Sequence, residues 1–380
     1  MQRSKTGHYE ASTGSGELVR AFVPNPLPPS PPVTLEGTLQ RDLENAVLAL
    51  GRLDGVSSQL PDKELFLYSY VRKEAVLSSQ IEGTQSSLSD LLLFEHNDVP
   101  GVPVNDVIEV VNYVAALEHG LSRLRGGFPL SNRLIREIHA VLLRGGRGSK
   151  KSPGEFRRSQ NWIGGTRPGN ALFVPPPHTE VVGCMSDLER FIHSDDDLPV
   201  LIRAGLAHVQ FETIHPFLDG NGRVGRLLIT FLLCETGILQ EPLLYLSLHL
   251  KRNRFEYYEL LERVRKRGDW ETWLSFFLEG IRATAEEAVS TAQELTTSFL
   301  EDRIRIEAIG RRAGSTLRLL EALKIKPLMS ISDVCESTGL SFPTASSAMQ
   351  ILQEMSIVRE ITGKKRGKLY MHDKYLKLLS

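Results

Sequence analysis

Residues 215–226 read HPFLDGNGRVGR and precede the apolar run LLITFLLC at 227–234. This order indicates a glycine-rich loop that leads into a helix. Free backbone N–H groups at the start of a helix bind anions, and glycine lets an anionic group approach the main chain closely. Arg223 and Arg226 are three residues apart, so both can reach one polyphosphate from the same helix face. The stretch therefore predicts a phosphate site.

Two further side chains of this stretch carry chemistry that such a site needs. Asp219 supplies a hard oxygen of the kind that Mg²⁺ takes from proteins. His215 can remove a proton from an incoming hydroxyl. Each residue also has a plainer interpretation, since a histidine before proline is commonly a helix-end residue and Gly-Asn-Gly alone is commonly a turn. Their occurrence together in one short loop favours a nucleotide site.

The stretch resembles the signature of the Fic family, HPFx(D/E)GNGRxxR, at every fixed position. Members of this family typically transfer AMP from ATP to a protein hydroxyl. The resemblance therefore implies an adenylyltransferase that uses ATP and Mg²⁺, with His215 as general base and Asp219 as metal ligand. The phosphate contacts that it implies are Gly220, Asn221 and Gly222 as the anion cradle, Arg223 for the α- and β-phosphates, and Arg226 for the γ-phosphate.

The composition bounds the class of protein. With 380 residues, 41% of them hydrophobic, the chain can form two or three domains with buried cores. The 45 basic and 46 acidic side chains nearly cancel, so any nucleic-acid surface must be local. The three cysteines are far apart, which suggests neither a disulfide framework nor a zinc site. Because no apolar run reaches about eighteen residues and no signal peptide is evident, we expect a cytoplasmic protein without a membrane partner.

Residues 1–35 form the first predicted region, an extended proline-rich segment. Proline excludes helix and biases the residue before it toward extended backbone. The apolar residues Phe22, Val23 and Leu27 favour a stiff strap that lies on the folded body, and an SH3-type ligand is the alternative.

Residues 36–104 have the spacing of amphipathic helices, the second of which ends in SSQIEG at 78–83. Gly83 is a stop signal for that helix, and Glu82 by itself is an ordinary helix-end carboxylate. Self-regulating Fic proteins carry an inhibitory helix with the pattern (S/T)xxxE(G/N), which Ser78, Glu82 and Gly83 match. The resemblance implies that Glu82 pairs with Arg226 in place of the γ-phosphate and so restrains the enzyme.

Residues 105–281 form the predicted catalytic core, a helical bundle with one small hairpin. The segment 154–177, with a turn at 166–170, indicates either a β-hairpin or a plain surface loop. In the family an equivalent hairpin, called the flap, pairs with the main chain of the target and lies over the nucleotide. The flap residues that this implies are Ile163, Gly164 and Gly165.

Aromatic residues of the core region recur at helical spacing and are most often buried. Family members place a tyrosine of this region near the nucleotide base. The resemblance makes Tyr257 the better candidate for the adenine site and Arg265 a weaker one.

The composition changes near residue 311. A charged, alanine-containing helix at 282–312 has little apolar face and suggests a connector. Residues 311–380 hold twelve Lys/Arg and six Asp/Glu. Three short helices and a hairpin with a basic tip follow, so that 313–380 resembles a winged helix-turn-helix domain. Its recognition helix, led by Ser341, carries no Arg or Lys to read guanine, so DNA contact and protein contact remain equal alternatives.

The predicted fold is mainly α: a Fic-type helical bundle with a small β-hairpin flap and a C-terminal winged helix-turn-helix domain. The predicted function is AMP transfer from ATP to Ser, Thr or Tyr hydroxyls of target proteins, and of the protein itself, restrained by Glu82. Two alternatives stay open. One is a de-AMPylase that uses the same site, and the other is a DNA-binding regulator that acts through 313–380. Related proteins often dimerise, so a homodimer is also open.

Overall fold

The computed structural model describes residues 6–14, 16–59, 63–96 and 101–379, without the side chains at 57–59 and 63–65. These parts consist mainly of α-helices with a few short antiparallel strands, which confirms the mainly α fold. None of the helices in these parts is long and apolar enough to cross a membrane.

The described residues form fifteen helices and five strands. The helices are α1 (Gly37–Gln59), α2 (Lys63–Ile81), α3 (Leu88–Glu95), α4 (Val104–Arg125), α5 (Asn132–Leu142), α6 (Val181–Ile192), α7 (Val200–Ile214), α8 (Asn221–Glu235), α9 (Ser247–Arg252), α10 (Arg254–Arg267), α11 (Trp270–Glu307), α12 (Ala313–Ile325), α13 (Ile331–Thr338), α14 (Phe342–Glu354) and α15 (Asp373–Leu379). The strands are β1 (Gly7–Gly14), β2 (Glu17–Pro24), β3 (Leu328–Ser330), β4 (Val358–Glu360) and β5 (Leu369–His372).

Helix α7 lies at the centre of the molecule, and every residue from Leu201 to Ile214 is buried. Helices α6, α8 and α11 pack against α7, and α4 packs against α8 in turn. At the contact of α4 with α8, a β-carbon on Gly120 would overlap the ring of Phe231, so glycine lets the two helices approach closely. The loop at 215–220 therefore joins two helices that the core holds firmly.

An N-terminal β-hairpin, which the sequence did not predict, packs against the return arm of the flap. Strands β1 and β2 pair antiparallel along their whole length. The Phe22 N–H donates to the Val174 carbonyl at 2.9 Å, and the rings of Phe22 and Phe173 lie 6.1 Å apart. Phe22 and Val23 are buried, as expected of anchors. The side chains of β1 are mostly polar and exposed, so it lacks the apolar alternation that marks a strand.

Helix α11 runs unbroken to Glu307, whereas the sequence predicted a separate connector at 282–312. Helix α1 packs along it, so α11 belongs to the core. Beyond residue 282, the first part of this buried face, up to Ala292, consists of small side chains that add little to an apolar stripe, which is why the sequence resembled a solvated connector. They include Thr284, Ala285, Ala288, Thr291 and Ala292. Leu295, Phe299 and Ile306 continue the buried face toward the end of the helix.

The C-terminal region contains the three predicted helices, α12, α13 and α14, followed by the predicted hairpin of β4 and β5. Strand β3, between α12 and α13, and the last helix α15 were not predicted. Its three strands form an antiparallel sheet in the order β3-β5-β4. Ser330 caps α13, since its side chain accepts from the Asp333 N–H. The region packs on the rest of the chain, and His372 of β5 lies 3.2 Å from Asp302 of α11 with both side chains buried. Its assignment as a winged helix stays a prediction that rests on this element order.

Candidate active site

His215 stands where α7 ends, in the left-handed backbone conformation (φ 49°) that non-glycine residues seldom adopt. Its N–H still donates to Phe211, so the helix ends on this residue. The buried guanidinium of Arg157 donates to the His215 carbonyl at 3.0 Å, and the Arg157 N–H donates to Pro216 at 2.9 Å. These contacts fix the backbone at His215, from which the imidazole projects.

The environment of His215 keeps its imidazole neutral. Burial, together with the cations Arg157 and Arg265, lowers its pKa to about 3, and Glu82 opposes this effect. A backbone contact with Glu212 also favours the protonated ring. A neutral imidazole can accept a proton, as the predicted general base must.

The loop after His215 is shaped by Phe217 and Asn221. Phe217 is buried, and its ring stacks on His139 of α5 at 3.7 Å between centroids. The Asn221 side chain accepts from the Phe217 N–H at 2.8 Å and donates to the Phe217 carbonyl at 2.9 Å. Asn221 therefore shapes the loop with its side chain, and only its backbone can join the predicted cradle. Gly220 has the positive φ (78°) that glycine permits.

Asp219 lies in this loop, two residues before the start of α8. Its Oδ1 accepts from the Gly220 N–H at 2.6 Å and lies 3.6 Å from Nη2 of Arg223, and its side chain is partly exposed. No cluster of three or more metal-ligating side chains occurs in the part of the chain that is described. A single accessible carboxylate still suits Mg²⁺, which takes one or two carboxylates together with substrate phosphates.

Arg223 is built into the protein more deeply than the sequence suggested. It is 1% exposed and donates to Glu109 of α4 at 2.9 Å, and that carboxylate is 2% exposed. Burial raises the pKa of Glu109, although Arg223 and Arg147 oppose that effect. Glu109 was not predicted, because it lies more than a hundred residues before the signature in an ordinary helical segment.

Arg226 is held by residues at and just after the end of α2, in the segment that carries the inhibitory pattern. Its Nη2 lies 2.8 Å from Oε1 of Glu82, while its Nε donates to the Ser78 hydroxyl at 2.8 Å and Nη2 to the Ser78 carbonyl at 3.0 Å. A β-carbon on Gly222 would overlap Glu82 Oε1. The carboxylate therefore occupies the space directly above the predicted cradle. Gly83, with φ 100°, ends the segment.

The charges around Arg226 explain why Glu82 stays ionised. Burial alone would raise its pKa, yet Arg226 and Arg223 hold the pKa of Glu82 below its ordinary value. Two other buried carboxylates, Glu74 and Glu212, also interact with Arg226, and burial raises the pKa of each to about 7. Arg226 thus keeps polar and acidic neighbours whether or not Glu82 is present.

The predicted flap is present in a reduced form. Within the described residues it has one antiparallel bridge, between Ile163 and Phe173, with Ile163 N–H to Phe173 carbonyl at 2.8 Å. Gly164 and Gly165 follow with φ values of 69° and 71°, and side chains there would overlap Leu172 and Asn170. The tip therefore requires these glycines.

The predicted adenine contact falls on a buried residue. Tyr257 is 1% exposed, and its hydroxyl lies 2.9 Å from Nε2 of His208 in the core. Its neighbour Tyr258 is 42% exposed. It lies close enough to Glu82 and Arg226 for both charges to affect the pKa of its hydroxyl. Of these two tyrosines, Tyr258 is the one whose ring is accessible. Arg265 lies over the ring of Phe173 at 4.1 Å, beside the flap.

Three residues that position the loop escaped the sequence argument: Glu109, His139 and Arg157. His139 accepts from the Gly154 N–H at 2.8 Å through Nδ1, which leaves Nε2 to donate to the Asp219 carbonyl at 3.0 Å. All three are polar residues that become buried only when separate segments meet. The nearest signal was a charged or imidazole side chain on the apolar side of a predicted helix, as at Glu109 and His139.

Two family descriptions match the chain. Fic/DOC family N-terminal matches residues 40–122, and Fic/DOC family matches residues 129–233. The second match contains the whole signature, and the first contains the segment that ends at Glu82.

Curated relatives are similar at low identity. Protein adenylyltransferase Fic of Drosophila yakuba is 27% identical over 267 residues, which are 69% of this chain and 50% of that protein. A probable protein adenylyltransferase of Aquifex aeolicus is 25% identical over 280 residues, which are 68% of this chain and 81% of that protein. The chain thus spans about half the length of the Drosophila relative.

Solved structures share the fold. A Fic family protein from Desulfovibrio desulfuricans G20 superposes with a TM-score of 0.59 at 21% identity, over 90% of this chain and 97% of that chain. A Fic domain containing signaling protein from Bacteroides thetaiotaomicron gives 0.53 at 19% identity, over 65% of this chain and 95% of that chain. With the signature loop, the two matched regions and this fold in agreement, the chain belongs to the Fic/DOC family.

Proposed function

We propose that this protein transfers AMP from ATP to a hydroxyl group of a protein substrate, and that Glu82 restrains the transfer. The observation that carries the proposal is the loop at 215–226, which gathers a neutral histidine, an accessible carboxylate and two arginines at the start of α8. The similarity to proteins named protein adenylyltransferase supports the same chemistry.

The reaction follows from the groups in that loop. His215 accepts the proton of a Ser, Thr or Tyr hydroxyl, whose oxygen forms a bond to the α-phosphorus of ATP. The bond from that phosphorus to the bridging oxygen of the β-phosphate breaks, and its electron pair leaves with pyrophosphate. Backbone N–H groups at the start of α8 stabilise the charge on the α-phosphate. The incoming phosphates also raise the pKa of His215, which favours the proton transfer.

Asp219 is the residue that would hold Mg²⁺. Its carboxylate is accessible and lies two residues before the start of α8, where the phosphates are proposed to bind. When bound, Mg²⁺ would neutralise part of the phosphate charge.

Glu82 is the proposed brake because it occupies the site of another anion. Its carboxylate lies on Arg226 and directly above Gly222, where a γ-phosphate would need both the cation and the space. Two anions cannot share that position, so Glu82 leaves ATP without its terminal contact. The protein is therefore restrained until Glu82 moves away.

The test uses the full-length Glu82→Gly variant and ATP labelled at either the α- or the γ-phosphate. Incorporation of the α-label alone into protein, including the variant itself, is the expected result. His215→Ala in the same background should lower incorporation by about 10²- to 10⁴-fold while nucleotide binding persists. Incorporation of the γ-label would instead show phosphorylation, and full activity of the histidine variant would exclude the proposed base. Release of AMP from modified protein would support the de-AMPylase alternative.

A second function, nucleic-acid contact, is proposed for the C-terminal region. The loop between β4 and β5 exposes Lys364, Lys365, Arg366 and Lys368, and the first turns of α14 are also exposed. Phosphate contacts by such a loop predict binding to duplex DNA that weakens steeply with salt. In a gel shift with the full-length protein, Lys365→Glu with Arg366→Glu should abolish that binding, whereas Lys150→Glu with Lys151→Glu should not. Equal binding by both double variants would refute the contact.

A further inference from the structure

A third arginine, Arg147, lies beside the arginines of the signature but outside it in sequence. Its Nε is 3.2 Å from Oε1 of Glu109, and Nη1 of Arg223 is 2.9 Å from Oε2 of the same carboxylate. One buried carboxylate thus carries two guanidinium groups, one on each oxygen.

The loop that carries Arg147 follows α5 and is fixed at two points. Asn112 of α4, one turn after Glu109, donates to the Arg144 carbonyl at 2.6 Å. At the other side the loop reaches Asp219, because a β-carbon on Gly148 would lie 2.9 Å from Asp219 Oδ2. The fold therefore holds Arg147 at the Asp219 side of the signature loop.

The charges of Glu109 and Arg223 explain what Arg147 contributes to the site. A carboxylate placed on a phosphate-binding arginine cancels the charge that the phosphate needs, so Glu109 alone would weaken Arg223 as an anion ligand. Arg147 restores the lost positive charge. Two cations and one carboxylate give this group a net positive charge, which faces the carboxylate of Asp219 near the start of α8.

The two arginines differ in access. Arg223 is 1% exposed, and its Nε has no hydrogen-bond partner among the described residues. Arg147 is 57% exposed and can reorient toward a ligand. A buried donor without a partner beside an exposed cation is the arrangement that a polyphosphate would complete.

We propose that Arg147 binds the β- and γ-phosphates of ATP from the Asp219 side and that Glu109 positions Arg147 and Arg223 together. The inference rests on the proposed function, since it places ATP in this loop. The competing explanation is that Arg147 only neutralises Glu109. If so, replacing Arg147 should weaken the binding of every nucleotide equally. If Arg147 instead contacts the β- and γ-phosphates, the replacement should leave AMP binding nearly unchanged.

The experiment compares two ligands that the protein cannot turn over, AMP and α,β-methylene-ATP, each titrated with Mg²⁺ present. The proteins are the full-length Glu82→Gly variant and the same variant with Arg147→Ala, Arg147→Lys or Arg144→Ala. Arg144 lies on the same loop and is also exposed, so its variant controls for the loss of one positive charge. We expect Arg147→Ala to weaken the ATP analogue about tenfold and AMP less than about twofold. Arg147→Lys should recover part of the loss, and Arg144→Ala should change neither.

Two results would overturn the inference: AMP and the analogue weakened equally, or the analogue weakened as much by Arg144→Ala as by Arg147→Ala. Unfolding in urea of each variant shows whether a loss follows from a damaged fold. A Glu82→Gly protein that binds the analogue but incorporates no AMP would overturn the proposed transfer, while the comparison of ligands would still decide the role of Arg147. A protein that binds neither ligand would overturn both.

Discussion

Helix α8 carries two arginines, one turn apart, that each pair with a glutamate. The two pairs have nearly the same N–O distance but differ in burial and in where the glutamate lies in the fold. Arg223 and Glu109 are 2.9 Å apart, and both are almost wholly buried. Arg226 and Glu82 are 2.8 Å apart, but the Glu82 side chain is 31% exposed. Glu109 lies within α4, whereas Glu82 lies just beyond the end of α2 and before a glycine with positive φ. Glu109 is therefore fixed inside the core, and Glu82 is the carboxylate that we propose can leave.

The difference shows that the distance between two charges does not reveal their role. A fully buried pair resists separation because each charge left alone pays its desolvation cost. A pair at the rim can separate, since water and incoming anions replace the lost partner. The backbone around each carboxylate then decides which role it can serve.

The largest expected effect is on the buried pair. Glu109→Ala removes the closest carboxylate from the buried Arg223 and leaves Asp219 at 3.6 Å, and we expect a loss of about 3–5 kcal/mol in the free energy of unfolding. Urea unfolding measures it, with Glu118→Ala on the exposed side of the same helix as control. A loss under about 1 kcal/mol would mean that the buried pair is as dispensable as the pair at the rim.

The next effect tests whether Glu82 and phosphate share one space. Gly222→Ala places a methyl group where Glu82 Oε1 now lies. In the Glu82→Gly background that methyl should obstruct the phosphate and lower AMP incorporation at least about tenfold, a loss of roughly 1.4 kcal/mol in binding or activation. The rate of label incorporation is the measurement. Unchanged incorporation would show that phosphate does not use the place that Glu82 occupies.

The smallest effect is a difference in acid stability. The pKa of Glu82 is held below its ordinary value of 4.5, so its stabilisation is complete above that pH and is lost as the pH falls through the lowered pKa. The pKa of Glu109 is raised, so its contribution is complete below 4.5 and is lost as the pH rises. Urea unfolding below pH 5 should therefore show a shallower acid loss for Glu82→Ala than for the parent. Glu109→Ala should not reduce the loss of stability at low pH. A smaller acid loss for Glu109→Ala than for Glu82→Ala would contradict the directions of the two pKa shifts.

Site residues that are adjacent in sequence could be predicted, whereas those brought together from separate segments by folding could not. The loop from His215 to Arg226 was predicted because twelve adjacent residues carry it. The contact of Glu82 with Arg226 was reached through a family pattern, since nothing local links residues so far apart. Glu109 and Arg157 became visible only in the fold, where burial gives ordinary charged residues specific partners.

Two further differences have simple physical causes. Tyr257 and Tyr258 are adjacent on α10 and point about 100° apart, so a shift of one residue moves the prediction from the core to the surface. The alanine-rich face of α11 packs closely against α1, although its low hydrophobicity suggested a connector. Which face of a helix is buried, and whether small side chains pack closely against a neighbour, depend on the tertiary structure and not on the local sequence.

The central claim is that Glu82 is a removable occupant of the phosphate site. It is tested most directly by the rate at which full-length protein incorporates label from α-labelled ATP, compared between the parent and Glu82→Gly. We expect the variant to be faster by at least about tenfold, which corresponds to roughly 1.4 kcal/mol, with the gain abolished by His215→Ala. Equal rates in parent and variant, with both proteins folded, would contradict the claim.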